Sequence, residues 1–192
     1  MAPSPYHVRN MIPFWRKEPL DEKELKLWSE VMRAHHFSTF RNNPSAVVIA
    51  QAAAGSQDYL RALSAGLNCF GGPHGPIPQT VSLLSQPDPA GMAVQMLELK
   101  MKVPGWGSSF TEARDPIWEK VRNLLAEHWT DANLKLEQVT HVLHSAGKNI
   151  YPNPSAYTAT TAIVLGIPAP LSPMILVAGR LMAWSDLIYR QL

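Results

Sequence analysis

One histidine, His74, stands among three glycines and three prolines in CFGGPHGPIPQ, residues 69–79, in a chain whose long stretches otherwise read as helical. Irregular backbone leading into a helix leaves N–H groups free, and the helix dipole there favours an uncharged imidazole. Such a ring can donate a hydrogen bond to an oxygen that gains negative charge during a reaction. The same residue could equally cap or pack a tight turn. His141 and His144 share a helix face at i, i+3, a spacing at which two imidazoles can meet a metal. No carboxylate or cysteine follows at ligand spacing, so a solvated face is expected and no metal is assigned. His35 and His36 fall at the end of another helix, where the C-terminal dipole favours a cation; capping and ligand binding are both open there. Arg180 is the one charge between Leu171 and Trp184. If buried, it needs a protein carboxylate or an anionic ligand, and both remain open. In VPGWG, Val103, Pro104, Gly105, Trp106 and Gly107 form backbone that can approach a flat ligand closely, with an indole able to stack on it; a turn with a core tryptophan is the plainer alternative.

These residues sit between helices that must hold them. Prolines at 3, 5, 13 and 19 make residues 1–19 an irregular arm. LDEKELKLWSEVMRAHHF places Leu20, Leu27, Val31 and Ala34 on one face after an acidic start that suits a helix N-terminus. SAVVIAQAAAGSQDYLRALSAGLNCF reads as one further helix, apolar nearly all round from 46 to 54, which its own core or a second subunit must cover. Helices follow at TVSLLSQ, PDPAGMAVQMLELKM, IWEKVRNLLAEHW and LKLEQVTHVLHSAG, the last closed by Gly147. Loops occupy 69–79, 103–116 and 151–157. The β-branched run at 160–167 suits a strand by propensity, yet no partner strand is visible, so the fold class is all-α over residues 20–192.

Composition narrows the function. Lys plus Arg number 17 against 15 Asp plus Glu, scattered rather than clustered, which argues against a nucleic-acid partner. The lone cysteine, Cys69, excludes an internal disulfide and fits a reducing compartment. No apolar stretch is read as approaching the roughly 20 residues of a membrane span, and a cytoplasmic protein is expected.

Taken in order, NNPS, GGPHGPIPQ, VPGWGSSFTEARDP, YPNPSAY and PMILVAGR resemble the citrate synthase family, in register over about residues 20–190. The resemblance implies a helical fold working as a homodimer, with the apolar helix near 45–66 at the interface. It implies acyl-CoA and a 2-oxoacid such as oxaloacetate as ligands, and no tightly bound cofactor. His74 matches the family's enolate-stabilising histidine. His36, Asn43 and Arg180 match substrate-binding positions, while Val103 to Gly107 match the CoA loop. The N-terminal half of the family's length has no counterpart in the chain, so a partner chain supplying it is a further expectation.

The sequence also departs from the family. Ser108 stands where a second histidine is usual, and Ser155 where the proton-abstracting aspartate is usual. A serine cannot take a carbon-bound proton unaided at neutral pH. Ile117 replaces a carboxylate-binding arginine, and Glu112 replaces a cation for the CoA phosphates, for which Arg114 could compensate. Three readings follow: a degenerate acyl-CoA-binding family member with little citrate synthase turnover, an active divergent acyltransferase or lyase, and a non-catalytic scaffold.

Overall fold

The computed structural model describes residues 16, 18–39, 44–69, 75–107 and 114–192. Asn43, His74, Ser108 and Glu112 lie outside these residues, as does nearly all of the N-terminal arm. Regular structure among the described residues is entirely helical: α1 Glu22–Thr39, α2 Pro44–Ser56, α3 Tyr59–Asn68, α4 Ile77–Leu84, α5 Pro89–Glu98, α6 Glu119–His128, α7 Thr130–Ser145, α8 Pro154–Val164 and α9 Pro173–Tyr189, with 3-10 turns at Pro116–Trp118 and Ala169–Leu171.

The start of α1 is a reciprocal capping box. The Glu24 N–H donates to Asp21 Oδ1 at 2.8 Å and the Asp21 N–H to Glu24 Oε2 at 2.9 Å. Arg16 adds an ion pair to Glu24 at 2.6 Å, fixing the entering chain. The expected apolar face is the buried one, with Leu27, Val31 and Ala34 fully inside. Along it runs α9, and α8 packs against α1, α4 and α7. The main core lies between these helices; a smaller one, Ile49, Ala53, Ala62, Trp184 and Ile188, lies under α2, α3 and the end of α9.

Three expectations need correction. The single helix read from residue 45 onward is two, because Gln57 turns into the left-handed region at φ 50° and Asp58 caps a new helix by accepting from the Arg61 N–H at 3.0 Å. The expected cover of α2 by its own core or a second subunit is not overturned: within one chain Ile49 and Ala53 are buried and Val47 is exposed. The 151–157 stretch is not all loop, since α8 begins at Pro154 and carries the β-branched run as helix. It can do so because Thr158, Thr160 and Thr161 each donate to the carbonyl four residues back, at 2.7–2.9 Å, so their hydroxyls are satisfied in a dry interior. Gly166, at φ 67°, then stops the helix. Finally, Ala169–Tyr189 is long and apolar enough by length and composition to cross a bilayer. In this fold it packs on α1, α2 and α3 with Arg180 buried in its middle.

Candidate functional site

Two of the family-like loops are stitched together backbone to backbone. The Gly107 N–H donates to the Tyr151 carbonyl at 3.0 Å, and the Asn153 N–H to the Gly105 carbonyl at 2.9 Å. Asn153 also donates from Nδ2 to the Gly107 carbonyl at 2.9 Å while its Oδ1 accepts from the Ser155 N–H at 2.8 Å. One asparagine thus caps α8 and holds the VPGWG turn. Gly105 is required twice over: its φ is 89°, and a Cβ there would lie 2.6 Å from Thr80 Cγ2 and 3.2 Å from Ala156 Cβ. That close approach seats the turn between α4 and α8. The chain enters α4 through Gly75, at φ 74°, the residue after His74.

Trp106 is not a stacking face. It is buried, and its indole N–H donates to Thr140 Oγ1 at 2.9 Å, so the ring belongs to the core wall behind the turn. Val103 is buried beside it in the same core, leaving Pro104, Gly105 and Gly107 as backbone of the turn. Arg114 makes a two-pronged pair with Glu137, at 2.9 and 2.6 Å, and lies over the Tyr151 ring at 5.5 Å. The Glu137 hydrogen bonds hold its guanidinium above the ordinary value, partly opposed by burial. A phosphate reaching Arg114 would compete with Glu137 for it.

In α8's first turn, Ser155 is buried at 7 % exposure, with Thr158 one turn on along the same face. Thr158 Oγ1 lies 2.7 Å from His35 Nε2 on α1. Gly179 of α9 backs directly onto His35: a Cβ at Gly179 would come 2.6 Å from His35 Cβ. The next residue is Arg180, whose guanidinium donates to Ser45 Oγ at 3.2 Å. Burial pulls Arg180 down to about 10, so its charge is held largely out of water. His35 is fully enclosed, and burial, with Arg180 as the second cause, keeps it well below the ordinary histidine value. The cation expected at the end of α1 is therefore absent at His35.

The matched histidine, His36, is half-buried and edge-on to Phe37 with ring centroids 5.4 Å apart. The adjacent His35 lies against Gly179, next to Arg180, and is edge-on to Trp118 at 4.8 Å. A signal for this was present, since His35 continues the Leu27, Val31 and Ala34 stripe at helical spacing. His144 is occupied locally, with Nε2 3.1 Å from the Ile150 carbonyl oxygen. Among the described residues no cluster of three His, Cys, Asp or Glu could hold a metal ion.

Comparison with solved structures finds the same fold. A citryl-CoA lyase from Hydrogenobacter thermophilus superposes with a TM-score of 0.79 at 19% identity, over 96% of this chain and 75% of the lyase. Citrate synthase from Thermotoga maritima gives 0.78 at 23% identity, over 96% of this chain and 53% of the synthase. Citrate synthase from Thermoplasma acidophilum, solved with carboxymethyl coenzyme A and oxaloacetate, gives 0.73 at 16% identity, over 97% and 53%. The chain thus spans about half the length of these synthases. By sequence, no protein of curated function matches it. The family model "Citrate synthase, C-terminal domain" matches residues 2–192, and the chain accordingly belongs to the citrate synthase family through that domain.

Proposed function

We propose that this chain is a citrate-synthase-like protein that binds an acyl-CoA and a 2-oxoacid but has a degenerate catalytic centre with little or no citrate synthase turnover. The observation that carries the reading is the contrast at α8. The VPGWG turn is kept closed on the helix by Asn153, while the residue inside that first turn, at the family's aspartate position, is Ser155. Nothing at that position can accept a methyl proton at neutral pH, a loss worth about 10²–10⁴ in rate. Arg180, dry and cationic on α9 with Ser45 as a hydrogen-bond partner, remains suited to a carboxylate. Cys69 as the single thiol fits a reducing, cytoplasmic setting.

The test is a proton NMR time course of acetyl-CoA with the purified protein in D₂O, with and without oxaloacetate. Broadening of the acetyl methyl signal without exchange is the expected result. Citrate formation or methyl deuteration would overturn the degenerate reading in favour of an active condensing or lyase enzyme. A signal unaffected by the protein would leave only a scaffold.

The proposed assembly is a homodimer formed through α2 and α3. Exposed Val47, Leu60 and Leu67 on these helices, with Leu181 and Met182 on adjoining α9, support an apolar contact of that kind. A separate chain supplying the family's N-terminal half is the alternative occupant.

A further inference from the structure

Thr158 joins two hydrogen bonds that together fix which nitrogen of a buried imidazole is the donor. Its hydroxyl donates to the Pro154 carbonyl at 2.7 Å. Having spent its one proton there, Oγ1 can only accept at its other short contact, so the proton in the 2.7 Å contact with His35 belongs to Nε2. Nε2 therefore carries a proton, and the ring stays uncharged because its Nδ1 is enclosed without an acceptor among the described residues and Arg180 acts on it from α9. Its Nδ1 is buried and has no hydrogen-bond partner among the described residues, so the ring is held by polar contact through Nε2 alone. Trp118 closes one side of the ring, and Gly179 lets α9 close against its Cβ. Among the described residues, the charged group acting on it is Arg180.

We infer that His35 is a positioning residue: a neutral imidazole that ties α1, through Thr158, to the Pro154 carbonyl, and so fixes the first turn of α8, with Ser155, relative to α1 and the Gly179–Arg180 segment that packs on His35. The inference rests on the proposed acyl-CoA and oxoacid site for its purpose, though not for its geometry. A neutral donor is what this place requires. A second cation beside Arg180 would repel it and compete for a bound carboxylate, and an apolar side chain would leave Thr158 without a donor.

Three measurements decide it. In a long-range ¹⁵N spectrum of histidine-labelled protein, His35 should show the Nε2–H tautomer and no titration from pH 8 to 6; the Nδ1–H tautomer, or titration near 6.5, would overturn the inference. Amide hydrogen exchange at residues 155–158 should quicken at least tenfold in His35→Phe and in Thr158→Val. It should return to within threefold of wild type in His35→Gln, whose amide nitrogen is as many bonds from Cβ as the imidazole Nε2. Equal exchange in all three variants would mean a merely space-filling histidine. Oxaloacetate affinity, by calorimetry on folded protein, should fall about tenfold in His35→Phe and no further in His35→Phe/Thr158→Val, with Gln restoring it. Additive losses, or an affinity that ignores His35, would overturn the link to the site. If wild-type protein binds no oxaloacetate, the proposed oxoacid site fails instead, and the tautomer and exchange results alone decide for or against His35.

Discussion

Ser155 and His35 are the single residues on which the proposed function can be tested most directly. On the proposed reading, Ser155 stands at the position of the family's proton-abstracting aspartate with a side chain that cannot abstract a proton unaided. Restoring the acid with Ser155→Asp is expected to raise acetyl-methyl exchange of acetyl-CoA in D₂O by at least tenfold over wild type, read by proton NMR; no gain would mean that the missing acid is not what limits the site. His35 carries a pH dependence whose sign is fixed by its burial. Its value in the folded chain lies well below 6.5, so below that pH the unfolded chain binds a proton that the native chain does not. Stability contributed by the neutral ring is whole above pH 6.5 and is lost as pH falls toward the folded-state value, with a limiting slope of about 1.4 kcal/mol per pH unit. Urea titrations between pH 7.5 and 5 should show that slope in wild type and a flatter profile in His35→Gln.

Among the elements, the VPGWG turn and α8 behave as one unit because Asn153 belongs to both. Gly105 is its tightest point. A methyl group there meets both a left-handed backbone and the Thr80 side chain, so Gly105→Ala is expected to cost about 2–4 kcal/mol, measured by chemical denaturation. Acyl-CoA binding should weaken with it, since the turn cannot seat between α4 and α8 unchanged. The α2–α3 pair depends on a different close approach. At Gly66 a Cβ would collide with Ile49, so α3 lies directly on that side chain. Ile49→Ala should therefore open a cavity beside Trp184 and cost about 2–5 kcal/mol by the same measurement.

For the molecule as a whole, the exposed apolar surface decides the expected assembly. Leu60 and Leu67 lie two turns apart on α3 at 70% and 42% exposure. Leu60→Glu/Leu67→Glu should convert a dimer to monomer in sedimentation velocity without changing the helical circular dichroism. A wild-type monomer at micromolar concentration would sink the homodimer. The 21 residues of Ala169–Tyr189 show why apolar length alone misleads at this scale. Their buried face carries Ile175, Leu176, Gly179 and Arg180, all turned into the fold.

Much was determined by the sequence itself. Helical periodicity identified the buried face of α1 because 3.6-residue spacing survives any tertiary setting. Gly147 was legible as a C-terminal cap because its φ of 74° suits glycine wherever the helix packs. The family loops were legible as colinear strings of glycine, proline and asparagine, residue types that local backbone geometry demands. Other features depend on contacts between distant segments, which no local pattern encodes. The i−4 hydroxyl bonds inside a dry core let the Thr-rich run be helix instead of strand. Thr140, 34 residues away, turned Trp106 from a free stacking face into core. Glu137 claimed Arg114. The partner of His35 was set by Thr158, 123 residues along the chain, because the ring on the buried face of α1 reaches a hydroxyl that has already given its proton away.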